Sequence, residues 1–149
     1  MTLNKVSILI SLLLFLVQGC AATSPGERQA DNVKLVDLGN GICRQSNGLM
    51  WQKGRSENLS SLEQAREYAE NLTLDGYSDW RLPSSDELFE LCWIFDLKLA
   101  GDCIFKQDGG YWSQDSGEGT GNFEAESLCG GAHCQYFKSS KGRVRAVRP

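Results

Sequence analysis

The chain has 149 residues, six cysteines, one histidine and a formal net charge of −4. An acidic balance argues against general binding of DNA or of anionic lipid headgroups. The lone histidine, His133, leaves a Ser–His or Cys–His catalytic arrangement only if it is itself the base.

Residues 1–19 carry one basic residue, Lys5, then the apolar run from Val6 to Val17, then Gly19 before Cys20. That order reads as a signal peptide, too short and wrongly flanked for an ordinary transmembrane helix. The ending LVQGC resembles a bacterial lipobox, in which Cys20 would carry the lipid and become the new N-terminus; a plain secretory signal is the alternative. Ala21 rather than Asp follows Cys20, a pattern that resembles outer-membrane lipoproteins of Gram-negative bacteria. Residues 20–34 are small and polar and read as a flexible tether. Residues 35–149 remain, about 115 residues, enough for one domain and not two. Loss of Lys5 with the signal moves the formal charge from −4 to −5.

Along the domain, Asn40-Gly41 and Asn47-Gly48 are hairpin turn signals bracketing a strand Ile42–Gln45, and Leu49-Met50-Trp51 reads as a second strand. SSLEQAREYAENL reads as an amphipathic helix with a capping box Ser60-x-x-Glu63 and an apolar face of Leu62, Ala65, Ala69 and Leu72. DWRLPSSDEL reads as an extended segment held by Pro83 that ends at a capping box, Ser84-x-x-Glu87. The helix behind it places Leu88, Leu91, Cys92 and Phe95 on one face. A Gly-rich acidic stretch follows, with a short strand Tyr111–Ser113, and Arg143–Arg148 closes the chain as a strand. Strands, two helices, then loops and strands is an α+β order.

Disulfides are the default for an exported chain. Five cysteines remain beside Cys20, so one is left over. The short loops favour Cys92–Cys103 and Cys129–Cys134, with Cys43 as the odd thiol.

GLMWQ at 48–52, WRLPSSDEL at 80–88, YWSQ at 111–114 and VRAVR at 144–148 together resemble the Lcl C-terminal domain family of bacterial exported domains. The resemblance covers about residues 36–148. The W-R-L-P joint also resembles that of sulfatase-modifying-factor domains, and both look like the C-type-lectin-like fold. The resemblance implies a small twisted antiparallel sheet flanked by two helices, long Gly-rich loops, disulfides and paired terminal strands. It makes Trp51, Trp80, Leu82, Pro83, Glu87, Leu88 and Trp112 structural, and Arg81 a structural ion-pair or hydrogen-bonding residue. Members often end V-R-C-V-R; here Ala146 takes the Cys position. If the terminal strands pair, that leaves Cys43 as a free thiol, available for a dimer.

The lectin comparison directs attention to Asp115, Glu118, Asn122, Glu124 and Glu126 as oxygen ligands for calcium, though no EPN-like, QPD-like or WND pattern occurs. A solvated acidic loop is the plainer reading. Cys129, His133 and Cys134 suit either a soft metal or a disulfide-closed turn. The sulfatase-modifying relatives act through a late cysteine pair and copper, and the spacing here differs. Lys138, Lys141, Arg143, Arg145 and Arg148 make a basic tail, a polyanion patch unless its arginines pair with carboxylates.

The functional expectation is an envelope lipoprotein that needs no cofactor. It would act as a non-enzymatic binding or adhesion module, presenting its 108–135 loops to a glycan or protein. The alternative is an enzyme or enzyme accessory related to the sulfatase-modifying factors.

Overall fold

Asn40 and Gly41, at φ of +49° and +83°, fold the first strand back on the second, as an Asn-Gly turn does. The computed structural model describes residues 34–115, 120–122 and 139–149. Its main sheet holds β1 (Leu35–Gly39), β2 (Ile42–Gln45), β3 (Met50–Gln52) and β6 (Val147–Arg148) in the order β1-β2-β3-β6, all antiparallel. Between them in sequence come α1 (Leu62–Glu70), α2 (Ser85–Asp96), and a two-stranded ribbon of β4 (Gly110–Tyr111) and β5 (Gly121–Asn122). The fold is α+β and disulfide-stabilised. The closing strand pairs with β3 and not with β1, so the first and last strands are not neighbours.

The register sorts the core into two layers. Side chains directly across a ladder share a face, and successive residues alternate between faces. Cys43, Trp51 and Val147 stand in one row and join the cluster that α2 builds with Leu88, Leu91, Cys92 and Ile94. Ile42 and Ala146 take the other face, with Ala65 and Ala69 of α1, Trp80, Leu82 and Trp112. Each fully buried large apolar side chain contributes about 2–3 kcal/mol. Trp51, wholly buried, donates its indole N–H to Gln45 Oε1 at 2.7 Å.

This layering corrects the cysteine reading. Cys43 is bonded to Cys103, not free, and Cys103 is therefore not the partner of Cys92. Cys92 itself stands in a disulfide; Cys129 and Cys134 lie outside the described residues. The turn after α2 brings Cys103 back over the face that Cys43 occupies, whereas Ala146 belongs to the opposite face. A cysteine at 146 would not have reached Cys43. At a sequence separation of 60, the cross-link contributes about 4 kcal/mol in the chain-entropy model.

The outer edge of β1 is covered by the same turn: Lys34 N–H donates to Leu99 O at 2.7 Å and Asp37 N–H to Asp102 Oδ1 at 3.1 Å. Covered edges do not recruit foreign strands.

The closing segment is extended, yet only Val147–Arg148 is regular strand. Upstream of it, side chains replace half of the ladder. Gln52 gives its N–H to Ala146 O (3.0 Å) and accepts from Ala146 N–H through Oε1 (3.1 Å). Ser56 repeats the device, donating to Val144 O (2.9 Å) and accepting from Val144 N–H through Oγ (2.7 Å).

On the far side of Val147 lies DWRLP. Arg81 N–H donates to Val147 O at 2.9 Å and Val147 N–H to Arg81 O at 3.0 Å. Trp80 and Leu82 are buried at 3% exposure each and anchor the segment. Ser84 caps α2: its Oγ accepts from Glu87 N–H (3.1 Å) and Glu87 Oε2 accepts from Ser84 N–H (2.8 Å). The Arg81 guanidinium completes the joint with a fork onto both Glu87 oxygens at 2.8 and 2.7 Å. One carboxylate thus fastens a helix start to a strand. The cap of α1 lies one residue later than the sequence suggests. Ser61 Oγ accepts from Gln64 N–H, and Gln64 Oε1 accepts from Ser60 N–H.

The fork of Arg81, together with the Ser84 N–H, holds the Glu87 carboxyl below its ordinary value, against the opposing pull of burial. Carboxyls with lowered folded pKa stabilise above their unfolded pKa, and that stability drains as pH falls through the folded value. Glu87→Gln is expected to cost about 1 kcal/mol at neutral pH. In thermal melts from pH 7 to pH 3, part of the wild-type acid slope should vanish in the variant. Among the described residues, Asp37, Asp79, Asp108 and Asp115 are likewise lowered and share in the remainder.

Candidate functional site

The polar side of α1 opens onto a shallow groove of about 720 Å³ lined by Leu59, Gln64, Glu67, Tyr68, Asn71, Leu72 and Thr73. Four of these stand at i, i+3, i+4 and i+7 and so share one face of the helix. The opposite face is built of Ala65 and Ala69, which let α1 sit close on the sheet. Tyr68 is held in place by its hydroxyl, which accepts from Gln52 Nε2 at 2.8 Å. Gln52 thereby connects the groove to the closing segment. Gln64 spends its Oε1 on the Ser60 N–H, which leaves its NH₂ as the donor end toward the groove. An aromatic ring thus lies among two amides, a carboxylate and a threonine hydroxyl, with Leu59 and Leu72 as apolar walls. Among the described residues, no lysine or arginine lines it.

The basic tail does not form the patch that alternation along a strand suggests. Lys141 is exposed, but Arg143 is only partly so, and Arg145 is buried at 2% exposure. Arg143 donates to Ser56 O at 3.3 Å and faces Glu57 at 3.9 Å. Arg145 gives its Nη1 to three successive carbonyls, Gln52 (2.9 Å), Lys53 (2.6 Å) and Gly54 (3.0 Å). Its Nη2 reaches Lys106 O and the Tyr111 hydroxyl, and the guanidinium lies 4.3 Å over the Phe105 ring. Burial lowers its pKa, with the Tyr111 hydroxyl acting in the opposite direction; a guanidinium so placed remains charged. Arg148 is likewise engaged, forked onto Asp79 and stacked 3.9 Å over Tyr77. Lys138 lies outside the described residues.

Asp115, the first of the calcium candidates, serves α2. Its Oδ1 accepts from Ser85 N–H (2.8 Å) and from the Ser85 hydroxyl (3.0 Å). Burial would raise its pKa, but these bonds, with the Ser113 hydroxyl, bring it below the ordinary value. Glu118, Glu124, Glu126 and the side chain of Asn122 lie outside the described residues, as do Cys20 and His133. Among the described residues, no three His, Cys, Asp or Glu side chains gather where they could hold a metal.

Trp51, Trp80, Leu82, Pro83 and Trp112 are all buried and Arg81 with Glu87 forms the joint described above, so the signature motifs carry the fold. The α1 groove escaped sequence reasoning. Its signal was present in the polar positions 64, 67, 68 and 71, at the same spacing that marks the apolar face.

Arg145→Met should cost roughly 3 kcal/mol in urea unfolding, because it strands several buried carbonyls together. Arg143→Ala, whose partners are partly solvated, should cost under about 1 kcal/mol.

A family model described as the Lcl C-terminal domain matches residues 42–148. No curated protein and no solved structure matches the chain. The matched span starts at the first residue of β2, ends at the last of β6, and takes in both helices and the closing segment. By that match, the chain belongs to the Lcl C-terminal domain family.

Proposed function

We propose that this protein is a non-enzymatic binding module of a bacterial cell envelope, tethered by an acyl chain on Cys20, and that its α1 groove takes a neutral glycan. The observation that carries the binding half is the chemistry of the groove. Sugar rings offer apolar C–H faces and a rim of hydroxyls that both donate and accept. A partly exposed tyrosine ring supplies the stacking surface. Gln64, Asn71, Glu67 and Thr73 supply convergent donors and acceptors around it. Glu67, with no cation among the described lining residues, disfavours sulfated polysaccharide there.

The envelope half rests on the sequence: the apolar run before Gly19-Cys20 and the polar stretch behind it. Ala21 after Cys20 supports the outer membrane of a Gram-negative cell as the destination. Such a tether confines the groove near a surface rich in polysaccharide, where weak single-site binding is multiplied by effective concentration.

Titration of the full chain with cellotriose and with chitotriose, read by amide NMR shifts, is expected to move Gln64, Glu67, Tyr68 and Asn71. Tyr68→Ala should weaken the response about tenfold, the loss of one stacking contact. Shifts elsewhere, or shifts with heparin alone, would overturn the assignment. For the tether, intact mass of the protein made in bacteria should show a chain beginning at Cys20 with acyl adducts. A cleaved chain without acyl mass would remove it.

A further inference from the structure

The second helix is apolar on two sides. Leu88, Leu91, Cys92 and Ile94 are spent on the core, yet Phe89, Trp93 and Leu97 run along the outside at 45%, 36% and 56% exposure. They recur at i, i+4 and i+8, one row along the helix and its cap. Phe89 and Trp93 pack edge to face, with ring centroids 5.9 Å apart, so the row is a preformed ridge. Soluble domains rarely leave a continuous row of large apolar side chains in water without a use for it.

The charge beside the ridge selects the occupant. Residues Ser85–Asp96 include Asp86, Glu87, Glu90 and Asp96 and no lysine or arginine, and the first cation after them, the exposed Lys98, lies at the far end of the ridge beyond Leu97. Glu87 is consumed by Arg81, whereas Asp86 and Glu90 are exposed and stand one turn apart beside Phe89 and Trp93. An aromatic ridge flanked by carboxylates attracts cations twice, through ring faces and through Coulomb attraction. It repels anionic bilayers and nucleic acid.

We infer that the outer face of α2 is a docking surface for a cationic amphipathic helix of another protein, whose apolar side covers Phe89, Trp93 and Leu97 while its Lys or Arg residues meet Asp86 and Glu90. The site is independent of the α1 groove, which belongs to the other face of the sheet.

The protein contains its own reporter. Of its four tryptophans, Trp51, Trp80 and Trp112 are buried at 0%, 3% and 2% exposure, and Trp93 is the accessible one. A Leu/Lys amphipathic helical peptide added to the purified full chain should shift the tryptophan emission to the blue, saturably. It should also protect Trp93 from acrylamide. The charge-reversed Leu/Glu peptide should do neither. Asp86→Lys/Glu90→Lys should weaken the Leu/Lys response about tenfold, as should added salt. These side chains are on the surface, and unchanged thermal melts would show the variant folded; Leu97→Ser supplies a second variant acting on the apolar term alone. Equal responses to both peptides, or a response undiminished in the variants, would overturn the inference. So would a blue shift with phosphatidylcholine vesicles and not with peptide, which would assign the ridge to a bilayer. A shift that grows with protein concentration alone would assign it to a second copy of this chain.

Discussion

A single buried guanidinium organises the end of this domain. Among the described residues Arg145 has no carboxylate in contact; its charge is met by backbone carbonyls, a phenol and an aromatic face. Such a group cannot be desolvated piecemeal, because each acceptor lost leaves a buried charge less satisfied. The carbonyls come from the segment after β3 and from the loop before β4, so Arg145 forms properly only when both are in place. Around it Tyr111 accepts from Arg55 at 3.1 Å and donates to Lys106 O at 2.9 Å. The cost of burying one cation is thereby converted into specification of three chain segments.

The same economy runs through the closing segment. Its backbone is paired on both sides, but largely by devices other than a regular ladder: Gln52 and Ser56 side chains on one side, the irregular Arg81 bridge on the other. Gln52 is also the link to Tyr68, so the position of the groove's aromatic ring follows from how the sheet is closed. The groove and the α2 ridge are presented by the two helices, and those helices cover opposite faces of one small sheet. Two surfaces of different chemistry are therefore held at fixed separation by a shared core.

How much of this is readable in the chain depends on the range of the interaction. Ile42–Gln45, the Asn-Gly turn and the Ser84–Glu87 box were legible because turns and caps are local hydrogen-bond problems with local solutions. The α1 cap moved by one residue because adjacent serines, Ser60 and Ser61, both satisfy the rule. The Cys43–Cys103 bond was not legible: proximity in sequence favoured Cys92, while the pairing depends on which face of the sheet each cysteine occupies. Arg145 misled for a related reason. A strand's alternation says which side an arginine takes, but not whether that side faces water or a set of carbonyls contributed from elsewhere. For the same reason the groove needed three dimensions: Leu59 and Thr73 lie on either side of α1 in sequence and become walls of one concavity only after folding.

The position of Val147 bears on how such a domain can be made. This residue lies late in the sequence, and its strand is the last of the main sheet, with β3 on one flank and the isolated Arg81 bridge on the other. Neither face of the core is sealed before it arrives. Its pairings with Trp51 and Arg81 span long stretches of chain, which slows folding. Until residues 144–148 join, the β3 edge and the Arg81 segment both lack their partner strand. Were the proposed signal to direct export, late closure would keep this domain open while it crossed.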